Sequence, residues 1–159
     1  FARAKDSKTM KIAAVEKVLV VCMILALLLT AQSRIHIHIV NQLATGNVLV
    51  TNCASKNSHL GYHILTNGQE MEWKFTPNIF KSVVFWCDFY KDDNRTKATG
   101  NLYWKSHDLL TFCDYHSENS VANCFWIAQE QGIFLKDIGS DPQGIIFYYS
   151  WNNTNGIIA

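Results

Sequence analysis

Ile35-His36-Ile37-His38-Ile39 alternates apolar and polar residues without a break, and that alternation decides the fold class. In an extended chain successive side chains point to opposite faces, so the isoleucines share one face and the histidines the other. A helix would scatter the same residues around its axis. The period returns downstream, where Met71, Trp73 and Phe75 alternate with Glu70, Glu72 and Lys74 in a half-buried strand with one wet face. Between these stretches lie the β-rich run Val48–Cys53 and the segment Gly61–Leu65, which leads into Asn67-Gly68. Asn-Gly tolerates positive φ at both positions, so a tight hairpin is expected there.

Further along, Val83-Val84-Phe85-Trp86-Cys87 is continuously apolar, the pattern of a central strand covered on both faces. Asn101–Trp104, Leu109–Cys113, Ala122–Ile127, Gly132–Leu135 and Ile145–Tyr149 read as further strands. Polar segments separate them, among them Lys91–Lys97 and Asp114–Asn119. Helical periodicity is nearly absent. The expectation is an all-β domain, a small antiparallel β-sandwich of roughly eight to ten short strands.

The N-terminal region has a different character. Val18–Ala31 is an apolar run of about 14 residues, short of the roughly 20 that a spanning helix needs. Lys11 and Lys17 precede its core, and Ala31 and Ser33 put small residues at the third and first positions before Arg34. This reads as a secretory signal peptide. The expected organisation is a removed leader, residues 1–33, with Met10 at its head and Phe1–Thr9 as an upstream extension. Residues 34–159 then form one domain with a short C-terminal tail, secreted and extracellular.

Cys22 leaves with the leader, and Cys53, Cys87, Cys113 and Cys124 remain. An even set in an oxidising compartment reads as two disulfides. Four cysteines allow three pairings. Cys87 and Cys113 flank the strands around the Asn94 loop, which favours Cys87–Cys113 with Cys53–Cys124. Sequons at Asn94 and Asn152 are candidate glycosylation sites on such a chain.

The whole sequence carries a formal charge of +1. The leader holds more basic than acidic residues, so the remainder is slightly acidic and without a basic stripe. Nucleic acid and anionic membranes are therefore poor partners. No second long apolar segment follows, so the processed form is not expected to be membrane-embedded.

His36 and His38 share a strand face and form a possible metal pair. Zinc needs three or four protein ligands, and no third stands at a readable spacing. They are read as solvent-facing residues of an edge strand, and no metal or other cofactor is expected. The cysteine spacing contains no Cys-x-x-Cys knuckle, and no nucleophile elbow or papain-like segment is present. Glu70, Glu72, Asp88, Asp92, Asp93, Asp108 and Asp114 read as solvated charges rather than a hydrolytic pair. The chain is not expected to be an enzyme. Tyr103-Trp104 and Tyr148-Tyr149-Trp151 read chiefly as core. Exposed, they would support the alternative of a secreted carbohydrate-binding module of the cell wall.

Taken in order, the HIHI strand, VTNC, HLGYHIL, the NGQ turn with EWKF, PNIF, VFWCDF, CFW and QEQGIF resemble the plant self-incompatibility S-protein homologue family. The resemblance covers roughly Arg34 to Tyr149. His59-Leu60-Gly61 stands at the family's Asp-Leu-Gly-like segment, and Cys124-Phe125-Trp126 at its Cys-x-Trp strand. The four cysteines match, and Gln129–Phe134 stands at a more charged stretch of the family. The resemblance implies a small secreted β-sandwich that acts as an extracellular protein ligand for a cell-surface receptor. The family's best-known members act from female tissue on pollen. The polar segments expected to make such contacts hold Ser55, Lys56, Asn57, Ser58 and His59, then Asp92, Asp93 and Arg95, then Tyr115, His116 and Glu118.

Overall fold

The computed structural model describes residues 15–23, 34–77, 83–91, 96–104, 107–116, 121–140 and 142–152. Residues 15–23 are helical and belong to a unit separate from the domain that begins at Ser33. No helix among the described residues is long and apolar enough to cross a membrane.

Among the described residues the domain has ten strands: β1 (Arg34–Asn41), β2 (Leu49–Ser55), β3 (Ser58–Leu65), β4 (Glu70–Phe75), β5 (Phe85–Lys91), β6 (Lys97–Tyr103), β7 (Asp114–His116), β8 (Val121–Gln129), β9 (Gly132–Asp137) and β10 (Gly144–Ser150). They form two sheets. The larger has the order β10-β9-β8-β1-β4, with β7 also on β8, and the smaller has the order β3-β2-β5-β6. The expected sandwich is therefore present, and all its strand pairs are antiparallel except β1 with β8.

The alternating isoleucines do what their spacing dictates. Ile35, Ile37 and Ile39 are fully buried and meet Leu49, Phe89, Leu102, Trp126 and Leu135 in one core. Two aromatic side chains also tie the sheets by hydrogen bonds. Trp126 Nε1 on β8 donates to the Leu102 carbonyl on β6 at 3.1 Å. Tyr149 Oη on β10 donates to the Asn101 carbonyl at 2.7 Å. Burial pushes the Tyr149 pKa up to about 12, with the Asn101 bond opposing the rise and Tyr148 adding to it. The ring of Tyr149 lies flat against Gly100, where a Cβ would fall 2.2 Å from a ring carbon.

Several expectations are corrected. The disulfides are Cys53–Cys87 and Cys113–Cys124, not Cys87–Cys113 with Cys53–Cys124. Strand register decides this: Cys53 and Cys87 are direct partners across β2 and β5. Cys113 precedes β7, which lies beside β8 and Cys124. Leu109–Cys113 is not a strand, since residues His107–Phe112 form a short helix. Buried Leu109 and Cys113, with half-buried Phe112 between them, have the i, i+3, i+4 spacing of a helical face.

The Asn67-Gly68 turn exists, with Gly68 at φ 79°, but it closes no hairpin. β3 pairs with β2 in one sheet and β4 with β1 in the other, so the turn carries the chain between sheets. Asn41 holds it there. Its backbone oxygen accepts from Gly68 N at 2.7 Å. Its side chain donates to the Leu65 carbonyl at 2.8 Å and accepts from Leu43 N at 2.9 Å. Asn41 is wholly buried, a polar clamp at the junction of the two sheets.

Candidate functional site

Each sheet has one face on the core and one open face, and the two open faces differ in chemistry. On the smaller sheet, Leu49, Cys53, Cys87, Phe89, Ala98 and Leu102 point inward. The alternate residues therefore point out. Pair register places Ile64, Val50, Tyr90 and Lys97 in one row across the four strands, and Tyr62, Asn52, Asp88 and Thr99 in the next. Trp86 begins a third row beside Ala54 and Asn101. Tyr62 is 71 % exposed, Ile64 67 % and Trp86 39 %. The reading of Val83–Cys87 as covered on both faces is thus corrected. Its sheet is packed on one side only, and Trp86 is on the other.

A polar network occupies the middle of this face. Thr99 Oγ1 donates to Asp88 Oδ1 at 2.7 Å, and Lys97 Nζ lies 3.2 Å from the same oxygen. Burial works against the Lys97 ammonium, but bonding and attraction to Asp88, with Tyr90 adding, raise its pKa. The ammonium also sits 5.3 Å from the Tyr90 ring centre. Asp88 anchors this network, and Tyr62, Ile64 and Trp86 form the apolar part of the face.

Beside this face lies the β2–β3 turn. Lys56, Asn57, Ser58 and His59 are exposed, as expected of a contact segment, whereas Ser55 is buried and is removed from that set. Its position on β2, opposite Phe85, turns it inward. Tyr115 and His116 belong to strand β7 rather than to a loop, because their backbone pairs with Ala122 and Val121. Asp92, Asp93, Asn94, Arg95 and Glu118 lie outside the described residues. Asn152 is exposed in a turn with φ 68°, and the rest of its sequon lies outside the described residues.

On the larger sheet the open face is ionisable at β1 and β4, while Ile145 and Phe147 stand exposed on β10. His36 Nδ1 is 3.0 Å from Glu72 Oε1, and His38 Nδ1 is 2.5 Å from Glu70 Oε1. β1 is not the edge strand expected for these histidines. It lies between β4 and β8, which makes His38 only 8 % exposed and stacks it on Phe125, with ring centres 4.2 Å apart. Of the aromatic clusters read chiefly as core, Tyr103 and Tyr149 are buried as expected. Trp104, Tyr148 and Trp151 are half-buried and packed against the core.

A family model described as plant self-incompatibility protein S1 matches residues 36–151. The chain belongs to this family. Among curated proteins of Arabidopsis thaliana, S-protein homolog 74 is 32 % identical over 105 residues, covering 65 % of this chain and 64 % of that protein. S-protein homolog 1 is 32 % identical over 97 residues, covering 61 % and 59 %. The match thus spans less than two thirds of these relatives' own length. A solved SPH (self-incompatibility protein homologue) structure matches with TM-score 0.56 and 16 % identity, covering 76 % of this chain and 96 % of that one. It is described as coming from a widespread family of small, highly stable, secreted plant proteins. The shared fold agrees with the sandwich, and the extracellular placement expected from the leader-like run accords with the family. Within this family's fold, the exposed sheet face of Tyr62, Ile64 and Trp86 was not legible in the sequence. Trp86 was hidden in a run whose apolar neighbours are core residues.

Proposed function

We propose that this S1-family protein is a secreted ligand that acts by binding a cell-surface receptor protein, without catalysis. The observation that supports the reading is the open face of the smaller sheet. It places three large apolar side chains, Tyr62, Ile64 and Trp86, in solvent beside the polar turn Lys56–His59. Singly exposed apolar residues are ordinary, but a shared face of them rimmed by polar groups marks an interaction surface. Tyr and Trp are also the residues that most often dominate interface energy. The face is rigid: the Cys53–Cys87 disulfide ties the two central strands behind it. A rigid platform loses little conformational freedom on binding.

Under this reading the leader, residues 1–33, is removed near Arg34, and Asn94 and Asn152 carry glycans. The carbohydrate-binding alternative gains a new basis, since Trp86 and Tyr62 are the exposed rings. The test is binding of the labelled secreted protein to intact plant cells, pollen included, beside a glycan array. Saturable binding that protease treatment of the cells abolishes supports a protein receptor. Array binding to wall polysaccharides would move the same face to the carbohydrate reading, and no saturable binding to any tissue would overturn both.

A further inference from the structure

We propose that the open face of the larger sheet holds a divalent transition-metal site of a kind that takes zinc, formed by His36, His38 and Glu72, with Glu70 orienting His38. The proposal is independent of the receptor reading, because it concerns the opposite sheet. One possible ligand atom from each of His36, His38 and Glu72 lies within 4.8 Å of the other two. The third ligand missing from the sequence comes from the neighbouring strand. Antiparallel register sets Glu72 directly opposite His38 and Lys74 opposite His36, so both strands present their polar residues on one face.

Two imidazoles and one carboxylate are a zinc ligand set that leaves a coordination position open for water or a ligand group. Imidazole suits zinc and copper, while calcium and magnesium prefer all-oxygen sites. The second observation is at His38. Its Nδ1 is engaged by Glu70 at 2.5 Å. A metal-bound histidine commonly donates its other ring N–H to a carboxylate in this way, which fixes its tautomer. With the proton on Nδ1, the lone pair is on Nε2, and Nε2 is buried with no hydrogen-bond partner. A buried polar atom without a partner is costly, and an ion would relieve it. Phe125 stacks on the ring and holds its plane. Lys74 opposite His36, and Lys136, which lies 5.9 Å from the Phe125 ring centre, oppose a cation. The carboxylates of Glu70 and Glu72 counter them. Closing onto an ion at about 2.0–2.2 Å from each donor falls mainly to Glu72, whose side chain is half-exposed and already meets His36.

The experiment is calorimetric titration of the secreted protein with zinc chloride, followed by NMR of the histidine ring nitrogens. The expected result is one ion per chain and a zinc-dependent shift of His38 Nε2. His36→Ala and Glu72→Gln, at exposed or half-exposed positions that spare the fold, should each weaken binding at least tenfold. Glu70→Gln should weaken it by about 10- to 100-fold, as removal of an orienting partner does. His63→Ala, on the other sheet, should leave it unchanged. Absence of saturable binding would overturn the site, as would binding that persists in the His36→Ala/Glu72→Gln double variant. In either case the two His–Glu contacts are structural only.

Discussion

The two open faces of this sandwich share a core and differ in the groups they carry at their centres. At the centre of the larger sheet's face two histidines meet two glutamates, and His38, the most buried of the four, is stacked on Phe125 with its Nε2 unpartnered; Ile145 and Phe147 stand exposed on β10 of the same sheet. The face of the smaller sheet is apolar at Tyr62, Ile64 and Trp86, with the Asp88–Lys97 pair drawn into the middle. Strand alternation produces both, because it constrains only which residues face inward. The outward set is free to carry an ion site on one side and a macromolecular contact on the other. A scaffold of this kind can diversify function without disturbing its core.

The comparison breaks most visibly where both faces depend on the same support. Trp126→Ala removes a buried ring and its bond to the Leu102 carbonyl. It should cost about 3–5 kcal/mol, seen as loss of secretion and of both surfaces together. Gly100→Ala drives a methyl group into the Tyr149 ring. Overpacking of this kind costs about 1–3 kcal/mol, and urea denaturation should show a lower midpoint with an unchanged slope. Asn41→Ala leaves the Leu65 carbonyl and the Leu43 amide without their partner. A buried orphaned group costs about 1–3 kcal/mol, with the turn between the sheets losing amide-exchange protection first.

The smallest effect concerns charge at the rim. Glu130 accepts from Ala44 N at 2.9 Å and from Lys91 Nζ at 2.8 Å. The backbone bond from Ala44 and then the Lys91 ammonium hold its pKa below the ordinary 4.5. The unfolded chain therefore takes up this proton first as pH falls. The contribution is complete above pH 4.5 and is lost as pH drops through the depressed pKa. Because the pair is partly exposed, Glu130→Gln should cost only about 0.2–1 kcal/mol at neutral pH. The stability curve of the variant should converge on that of the parent in acid.

How much of this was legible depends on which residues carry the information. Period-2 alternation fixed β1 and β4 and their inward faces, since Ile37 and Met71 announce themselves by spacing alone. The family and the sandwich were readable from the ordered motifs. Pairing was not. The Asn67-Gly68 turn is a local signal, but Asn41, 26 residues earlier in the chain, decides that it bridges sheets rather than strands. Disulfide connectivity failed for the same reason, because Cys53 meets Cys87 through a register that no local pattern encodes. The metal cluster needed a third ligand from a strand whose partner was unknown. Trp86 was read as core because continuous apolar runs conceal which face is open.

The most direct measurement is the affinity of the labelled secreted protein for intact plant cells, compared with a Tyr62→Ser/Ile64→Thr variant. Both residues are exposed, so the substitutions should shift stability by no more than roughly 0.5 kcal/mol each. The account predicts at least a tenfold rise in Kd, about 1.4 kcal/mol, with thermal midpoint and zinc binding unchanged. A folded variant that bound cells as tightly as its parent would contradict the assignment of contact to this face.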